Sequence, residues 1–294
     1  MPRKARIDAP GALHHVIIRG IERTKIFRSD YDRRNFLSRI SELISETKTD
    51  CFAWAIIPNH AHLLLRTGSV PLSVFMSRLL TGYAVWFNRK YRRHGQLFQN
   101  RYKSILCQED PYLKELVRYI HLNPLRAGLV GDLDGLDKHP WCGHSVLMNK
   151  AKQPWQEVDY VYRFFSDQKT EARRRYREFV ARGIAEGRRP DLTGGGLLRS
   201  SGGWTGLKGF REAGVRVKAD ERLLGDSEFV ENVLKAAEEA LEGKYALKAM
   251  GYDFDRAVVR VAEVMGMSPE QVTAFGKSPQ TVRLKFDSQI SNIV

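Results

Sequence analysis

Residues 51–66 read CFAWAIIPNHAHLLLR: two apolar, β-rich runs, Cys51 to Ile57 and His60 to Arg66, separated by Pro58-Asn59. A Pro-Asn pair between two such runs is a turn signal, so the stretch is expected to fold as a tight hairpin. Upstream, Leu13 to Arg19 (LHHVIIR), closed by Gly20, reads as another strand, and Asp30 to Glu46 repeats Phe36, Leu37, Ile40, Leu43 and Ile44 at helical spacing. Downstream, Pro71 to Lys90 has the apolar period of a helix and Tyr102 to Cys107 that of a strand. Asp110-Pro111 then opens a helix over 111–123, Asp at the N-cap and Pro at the first helical position, and Pro124 ends it. The order βαββαβα predicts an α+β fold, a ferredoxin-like split-βαβ sandwich: a mainly antiparallel sheet with helices on one face.

Three segments are expected along the chain. Residues 1–150 form the split-βαβ domain. Residues 151–219 are a helical extension, Trp155 to Phe165 and Thr170 to Ala185, followed by a Gly-rich linker at Gly194-Gly195-Gly196 and Ser200 to Gly203. Residues 220–294 are helical over 228–242 and 254–265, with a capping box at Ser268-Pro269-Glu270-Gln271 and a further helix starting at Ser278-Pro279. Short helices joined by tight turns suit a helix-turn-helix-like module, although any small helical bundle gives the same pattern.

The 294 residues carry 48 Lys+Arg against 34 Asp+Glu, a net charge of +14. Residues 1–130 hold 22 basic and 10 acidic residues, so nearly all of the excess lies there. Basic residues alternate with aromatics in Trp86-Phe87-Asn88-Arg89-Lys90-Tyr91-Arg92-Arg93, the mixture that phosphate neutralisation and base stacking require. The same pattern also fits a solvated helix face whose aromatics enter the core. No apolar run reaches the length of a membrane-spanning helix, and Met1 to Pro10 is polar and basic, without the apolar core of a secretory signal. Cys51, Cys107 and Cys142 form no C-x-x-C pair, so a cytoplasmic protein is expected.

His60-Ala61-His62 places two imidazoles at i and i+2 of a strand, hence on one face and within reach of one metal ion. An H-x-H in an apolar strand also suits simple packing, but two unpartnered imidazoles among Leu, Trp and Ile would be a poor structural choice. Tyr119 and Asn123 stand at i and i+4 on the helix over 111–123 and share a face. A phenol titrates near pH ~10, so a nucleophilic tyrosine needs an activated electrophile or a base, and a metal-bound phosphate is such an electrophile. The Asn123 amide oxygen is a candidate third ligand beside His60 and His62. Tyr112 is the rival tyrosine; a core-facing aromatic is the competing role for Tyr119. Gly276-Lys277-Ser278 lacks the upstream glycine of a phosphate-binding loop, and His139 and His144, flanking Trp141 and Cys142, have no second ligand pair for zinc.

His14-His15-Val16 with Arg19-Gly20, Ile57-Pro58-Asn59-His60-Ala61-His62, Arg101-Tyr102-Lys103-Ser104 and Arg118-Tyr119-Ile120-His121-Leu122-Asn123-Pro124 with Arg126-Ala127-Gly128-Leu129-Val130 together resemble the single-tyrosine HUH transposases, in particular the REP-associated tyrosine transposases. The resemblance covers about residues 8–150. It implies a DNA nickase and strand transferase in which Tyr119 attacks a phosphodiester, leaving a 5′-phosphotyrosyl enzyme and a free 3′-hydroxyl. His60, His62 and Asn123 would hold a divalent ion, Mg²⁺ or Mn²⁺. The implied partner is single-stranded or hairpin DNA bound by a monomer or homodimer, and the expected location is cytoplasmic and nucleoid-associated. Arg19, Arg23, Arg89, Lys90, Arg92, Arg93, Arg101 and Lys103 are the expected DNA contacts. Val261 to Val272 and Gly276 to Thr281 are similar to the helix-turn-helix of bacterial replication initiators. After Arg283, however, the chain runs Lys285-Phe286-Asp287-Ser288-Gln289-Ile290 where a long apolar recognition helix is expected, which implies a truncated module. Two other readings compete: a non-catalytic nucleic-acid-binding regulator using the same basic surface, and a metal-dependent hydrolase with a water nucleophile.

Overall fold

The structure, a computed structural model, describes residues 7–9, 11–187, 189, 192, 220, 222–249 and 254–275. The elements run β1 (Leu13–Arg19), α1 (Asp30–Thr47), β2 (Asp50–Ile57), β3 (His60–Arg66), α2 (Leu72–Lys90), β4 (Lys103–Cys107), α3 (Glu109–His121), α4 (Asn123–Arg126), α5 (Leu133–Lys138), α6 (Gly143–Leu147), α7 (Val158–Arg163), α8 (Lys169–Arg182), β5 (Leu223–Leu224), α9 (Ser227–Ala249), α10 (Phe254–Met265) and α11 (Pro269–Phe275). The sheet order is β2-β3-β1-β4-β5. The first four strands pair antiparallel, and β3 lies between the β1 and β2 that α1 connects, which is the split-βαβ arrangement. The two-residue β5 pairs parallel to β4 and makes the sheet mixed.

The α+β split-βαβ reading holds, but helices cover both faces of the sheet and not one. Val16, Ile18, Trp54, Ile56, Leu63 and Leu65 face a core with Phe36, Leu37 and Ile40 of α1 and Phe75, Met76, Leu79 and Tyr83 of α2. Leu13, Phe52, Ala55, Leu64 and Ile105 face a second core with Leu113, Leu116, Val117 and Ile120 of α3 and with residues of α7 and α8. The physical reason lies in CFAWAII: a strand wet on one side alternates apolar with polar, whereas this run does not, and every residue of β2 after Asp50 is buried.

The hairpin turn is Pro58-Asn59, with Ile57 opposite His60. Its Pro58 carbonyl accepts the amides of Ile26 and Phe27, and the Gly20 amide donates to the Asn59 carbonyl. A Cβ on Gly20 would lie 2.3 Å from the Thr24 carbonyl oxygen, so only glycine lets the chain leave β1 through the tight turn over 21–24. α1 begins at a capping box: the Ser29 side chain accepts from the Asp32 amide, and Asp32 accepts from the Ser29 amide.

α3 begins at Glu109, two residues before the expected first helical position, so Pro111 sits third in its first turn, where its missing N–H is still tolerated. Gln108 is held by β5 and by Asp226: its amide donates to the Leu224 carbonyl and its Nε2 to the Asp226 carboxylate. The helix also stops earlier than expected, at His121, and Pro124 lies in the first turn of α4 instead of terminating α3.

The chain divides into two compact units, Met1–Val233 and Leu234–Val294. In the first, α7 and α8 of the expected extension complete the second core through Val161, Tyr162, Ala172, Tyr176 and Val180. In the second, α10 and α11 pack together; the Gly266 φ of 61° turns the chain between them, and Ser268 and Gln271 form the expected capping box. The expected Gly-rich linker, the helix from Ser278-Pro279, Gly276-Lys277-Ser278 and the run after Arg283 lie outside the described residues. No helix among the described residues is long and apolar enough to cross a membrane. Cys51, Cys107 and Cys142 are buried free thiols.

Candidate active site

Three adjacent strands deliver side chains to one face. Residues directly opposite in an antiparallel pair point the same way, and in this register Arg19 faces His60, Ile17 faces His62 and His15 faces Leu64. On the other side of β1, Lys103 is opposite Ile17. This is the face that α3 covers, and Tyr119 and Asn123 come down onto it. Ile17, Arg19, His60, His62, Gln99, Asn100, Arg101, Lys103, Tyr119 and Asn123 line a cleft of about 430 Å³.

The H-x-H pair, Tyr119 and Asn123 thus meet at one place, with Arg19, Arg101 and Lys103 from the expected DNA contacts. Tyr112 is absent from the lining and packs against the α3-side core. The Tyr119 ring stands edge-on to His15 and His62, with centroids 5.8 and 5.9 Å away. The Arg126 guanidinium lies 5.3 Å from its centroid, and Arg126 Nη1 is buried without a hydrogen-bond partner among the described residues. Asn123 opens α4 instead of continuing α3, yet the relation expected of i and i+4 survives. Its Nδ2 donates to the Tyr119 carbonyl at 2.9 Å and to the Ile120 carbonyl at 3.2 Å, which leaves Oδ1 as the acceptor end of the amide.

Both histidines of the pair have a hydrogen-bonded Nδ1. His60 Nδ1 lies 2.7 Å from Asn59 Oδ1, and the Asn59 Nδ2 donates to the Arg23 carbonyl, so His60 Nδ1–H is the donor and Nε2 keeps its lone pair. His62 Nδ1 lies 3.0 Å from His15 Nε2. Burial and the charge of Arg19 push the His60 pKa down to about 4, while burial, His15, His60 and Arg19 hold His62 well below the usual imidazole range. Both imidazoles are therefore neutral at physiological pH, the form that binds metals. No cluster of three His, Cys, Asp or Glu able to hold a metal occurs among the described residues. The donor set at this cleft is two imidazoles and one amide oxygen, which fits a divalent ion of intermediate hardness and carries no charge of its own. With no carboxylate in the lining, an ion there keeps its full charge for an anionic ligand.

The remaining expected DNA contacts lie outside the cleft. Arg23, Arg89 and Arg92 are exposed, and Arg93 donates to the Asn88 side chain at 3.2 Å. Lys90 is tied to protein: it pairs with the buried Asp32 at 2.5 Å and sits over the rings of Tyr31, Trp86 and Tyr91. Part of the aromatic and basic run of α2 thus closes the α1–α2 core. Asn100 and Arg101 also line a groove of about 780 Å³ running along α2, whose other lining side chains are hydroxyl, amide and apolar. Gln99 and Asn100, which line the cleft, and Asn59 and His15, which hold its histidines, were not singled out from the sequence as site residues. They enter through loop placement and through the β1–β3 register, and only the parity of His15 within LHHVIIR was a readable signal.

Residues 10–123 match the family described as IS200-like transposase. Among solved structures, the chain is similar to a REP-associated tyrosine transposase bound to a REP hairpin, with 14% identity over 53% of this chain and 98% of that one and a TM-score of 0.42. It is also similar to a protein from Deinococcus radiodurans R1 described as a transposase, with 15% identity over 39% of this chain and 91% of that one and a TM-score of 0.28. No curated protein matches the chain.

Proposed function

Because residues 10–123 match the family described as IS200-like transposase, we propose that the cleft between β3, β1, β4 and α3 cuts and rejoins single-stranded or hairpin DNA, with Tyr119 as the nucleophile. The observation that carries this reading is the convergence in one cleft of His60, His62, Asn123 and Tyr119 with three cations and no carboxylate.

Arg19, Arg101 and Lys103 would draw in the phosphodiester backbone and hold it against the sheet. The Tyr119 oxygen would attack phosphorus and the bond from phosphorus to the 3′ oxygen would break; the phenol proton passes to water and the departing oxygen takes one up. One phosphodiester replaces another, so the step is close to balanced in energy and the free 3′-hydroxyl of a second end can reverse it. His60 and His62 through Nε2, and Asn123 through Oδ1, would hold Mg²⁺ or Mn²⁺. A divalent ion there supplies Lewis-acid polarisation of the scissile phosphate. The packing of Tyr119 against His15 and His62 orients the ring before substrate arrives and reduces the entropy lost on reaction. The REP-associated branch of the family, with a repeat hairpin as substrate, is the specific assignment this reading favours.

Incubation with 3′-end-labelled hairpin DNA and Mn²⁺, followed by a denaturing gel, tests the proposal, because the fragment on the 3′ side of the cut is the one that stays on the tyrosine. A labelled band at the position of the protein is the expected result. Binding without any cut or linked product would favour the non-catalytic regulator, and cut DNA without a linked band would favour a water nucleophile.

A further inference from the structure

His15 is fully buried on β1, between Leu64 of β3 and Ile105 of β4, in a row that is otherwise apolar at this depth. An imidazole in such a place needs a reason, because a leucine would fill it without burying polar atoms. Its ring stacks on His62 with centroids 5.3 Å apart, and its Nε2 lies 3.0 Å from His62 Nδ1. It also meets the edge of Tyr119, so one side chain touches both halves of the proposed site.

The two histidines of the H-x-H pair are held differently. His60 faces an amide oxygen, which can only accept, so its tautomer is fixed. His62 faces another imidazole, which can donate or accept. If His15 donated, His62 would carry its proton on Nε2 and present an N–H, not a lone pair, to a cleft lined by Arg19, Arg101 and Lys103. The positive field of these cations favours the opposite arrangement.

Resting on the reading of His60 and His62 as metal ligands, we propose that His15 is a positioning residue: its Nε2 accepts the Nδ1–H of His62, fixing the tautomer in which the His62 Nε2 lone pair faces the cleft. Partners of this kind, hydrogen-bonded to the far nitrogen of a ligand histidine, typically change metal affinity by about 10- to 100-fold. His15→Leu fits the apolar row and should fold; His15→Gln places a carbonyl oxygen near the position of Nε2 and can accept the same proton.

The test uses the full-length chain labelled with ¹⁵N-histidine and two-bond ¹H–¹⁵N spectra, which assign each tautomer without metal or activity. Mn²⁺ affinity is measured in parallel from the electron paramagnetic resonance of the free ion. The expected result is an Nδ1–H tautomer for His62 in the wild type and in His15→Gln, lost in His15→Leu, whose Mn²⁺ affinity falls roughly tenfold or more while hairpin affinity and melting temperature stay near wild type. An Nε2–H tautomer in the wild type, or an unchanged tautomer and Mn²⁺ affinity in His15→Leu, overturns the proposal. Unaltered Mn²⁺ affinity in His60→Ala and His62→Ala would instead overturn the metal-site reading on which it rests, so the two failures are distinct.

Discussion

At the scale of single residues, the assignment of the nucleophile is the sharpest claim. Tyr112 and Tyr119 lie seven residues apart on α3, but only Tyr119 lines the cleft. Tyr119→Phe removes one oxygen and keeps the ring against His15, His62 and Arg126. It should lower DNA cleavage and strand transfer by about 10⁴-fold or more, the scale on which loss of a nucleophile acts. Tyr112→Phe should change little, and mass spectrometry of a trapped DNA-linked peptide should find the modification on Tyr119; finding it on Tyr112 would reverse the assignment. His62→Ala should abolish cleavage while hairpin affinity stays within about threefold of wild type, because Arg19, Arg101 and Lys103 remain to bind phosphate. Full cleavage in the presence of a chelator contradicts this. His60 and His62 on one strand face, and Tyr119 and Asn123 one turn apart, were legible in the sequence because strand parity and helical spacing are local rules. His15, Asn59 and Gln99 were not, because what they touch depends on strand register and loop path.

At the scale of elements, most of the chain up to α3 could be read in advance, and what was missed has a common cause. The β1, β3 and hairpin boundaries follow directly from apolar runs closed by glycine or proline-asparagine. The covering of the second sheet face was signalled by the unbroken apolar run of β2, but nothing in the local pattern says that α7 and α8 supply that cover together with α3. The link between α3 and α8 is a buried hydrogen-bonded chain: His121 Nδ1 and His144 Nδ1 both meet the Tyr176 hydroxyl, at 2.8 and 2.7 Å, and His144 Nε2 meets Asp137 at 2.8 Å. Tyr176→Phe would leave two buried imidazole nitrogens with no protein partner from that residue and should cost about 2–4 kcal/mol in urea unfolding. A second link joins α1 to α2. Burial alone would raise the Asp32 pKa, but Lys90, Tyr91 and the amides of Arg28 and Ser29 outweigh it and hold the carboxyl below its ordinary value. A carboxylate with a depressed folded pKa contributes its stabilisation above the unfolded pKa and loses it as pH falls through the folded one. Lys90→Met should therefore destabilise by about 2 kcal/mol near neutral pH, and the difference from wild type should shrink as pH falls below the ordinary carboxylate range and through the depressed folded pKa of Asp32; a pH-independent difference would mean that lost packing on Tyr31 and Trp86 dominates.

At the scale of the whole molecule, the uneven charge and the division into two units together say which part would bind DNA under the proposed function. The excess of basic over acidic residues falls in the first 130 positions, and the cleft with Arg19, Arg101 and Lys103 lies within the unit Met1–Val233. If those three contact phosphates, hairpin affinity should fall with salt at a log–log slope of at least about 2 in magnitude, in the full chain and in residues 1–233 alike. The fold makes a further demand that the charge does not. Ending the chain at residue 150, where the split-βαβ pattern stops, removes Val161, Tyr162, Ala172, Tyr176 and Val180 from the core that Leu116, Val117 and Ile120 of α3 occupy. It also strips Tyr176 from His121, two residues beyond Tyr119. Exposing that apolar face should cost several kcal/mol, at roughly 1.5–3 kcal/mol for each large side chain, against a total stability of only about 5–15 kcal/mol for an ordinary domain. We therefore expect residues 1–150 to be unfolded or aggregated by circular dichroism and unable to form the covalent adduct, and residues 1–233 to fold, bind and react like the full chain. A well-folded 1–150 fragment with full adduct formation would mean that α7 and α8 are accessory to the catalytic unit. Loss of hairpin binding in 1–233, with binding retained by residues 234–294 alone, would move DNA recognition to the second unit.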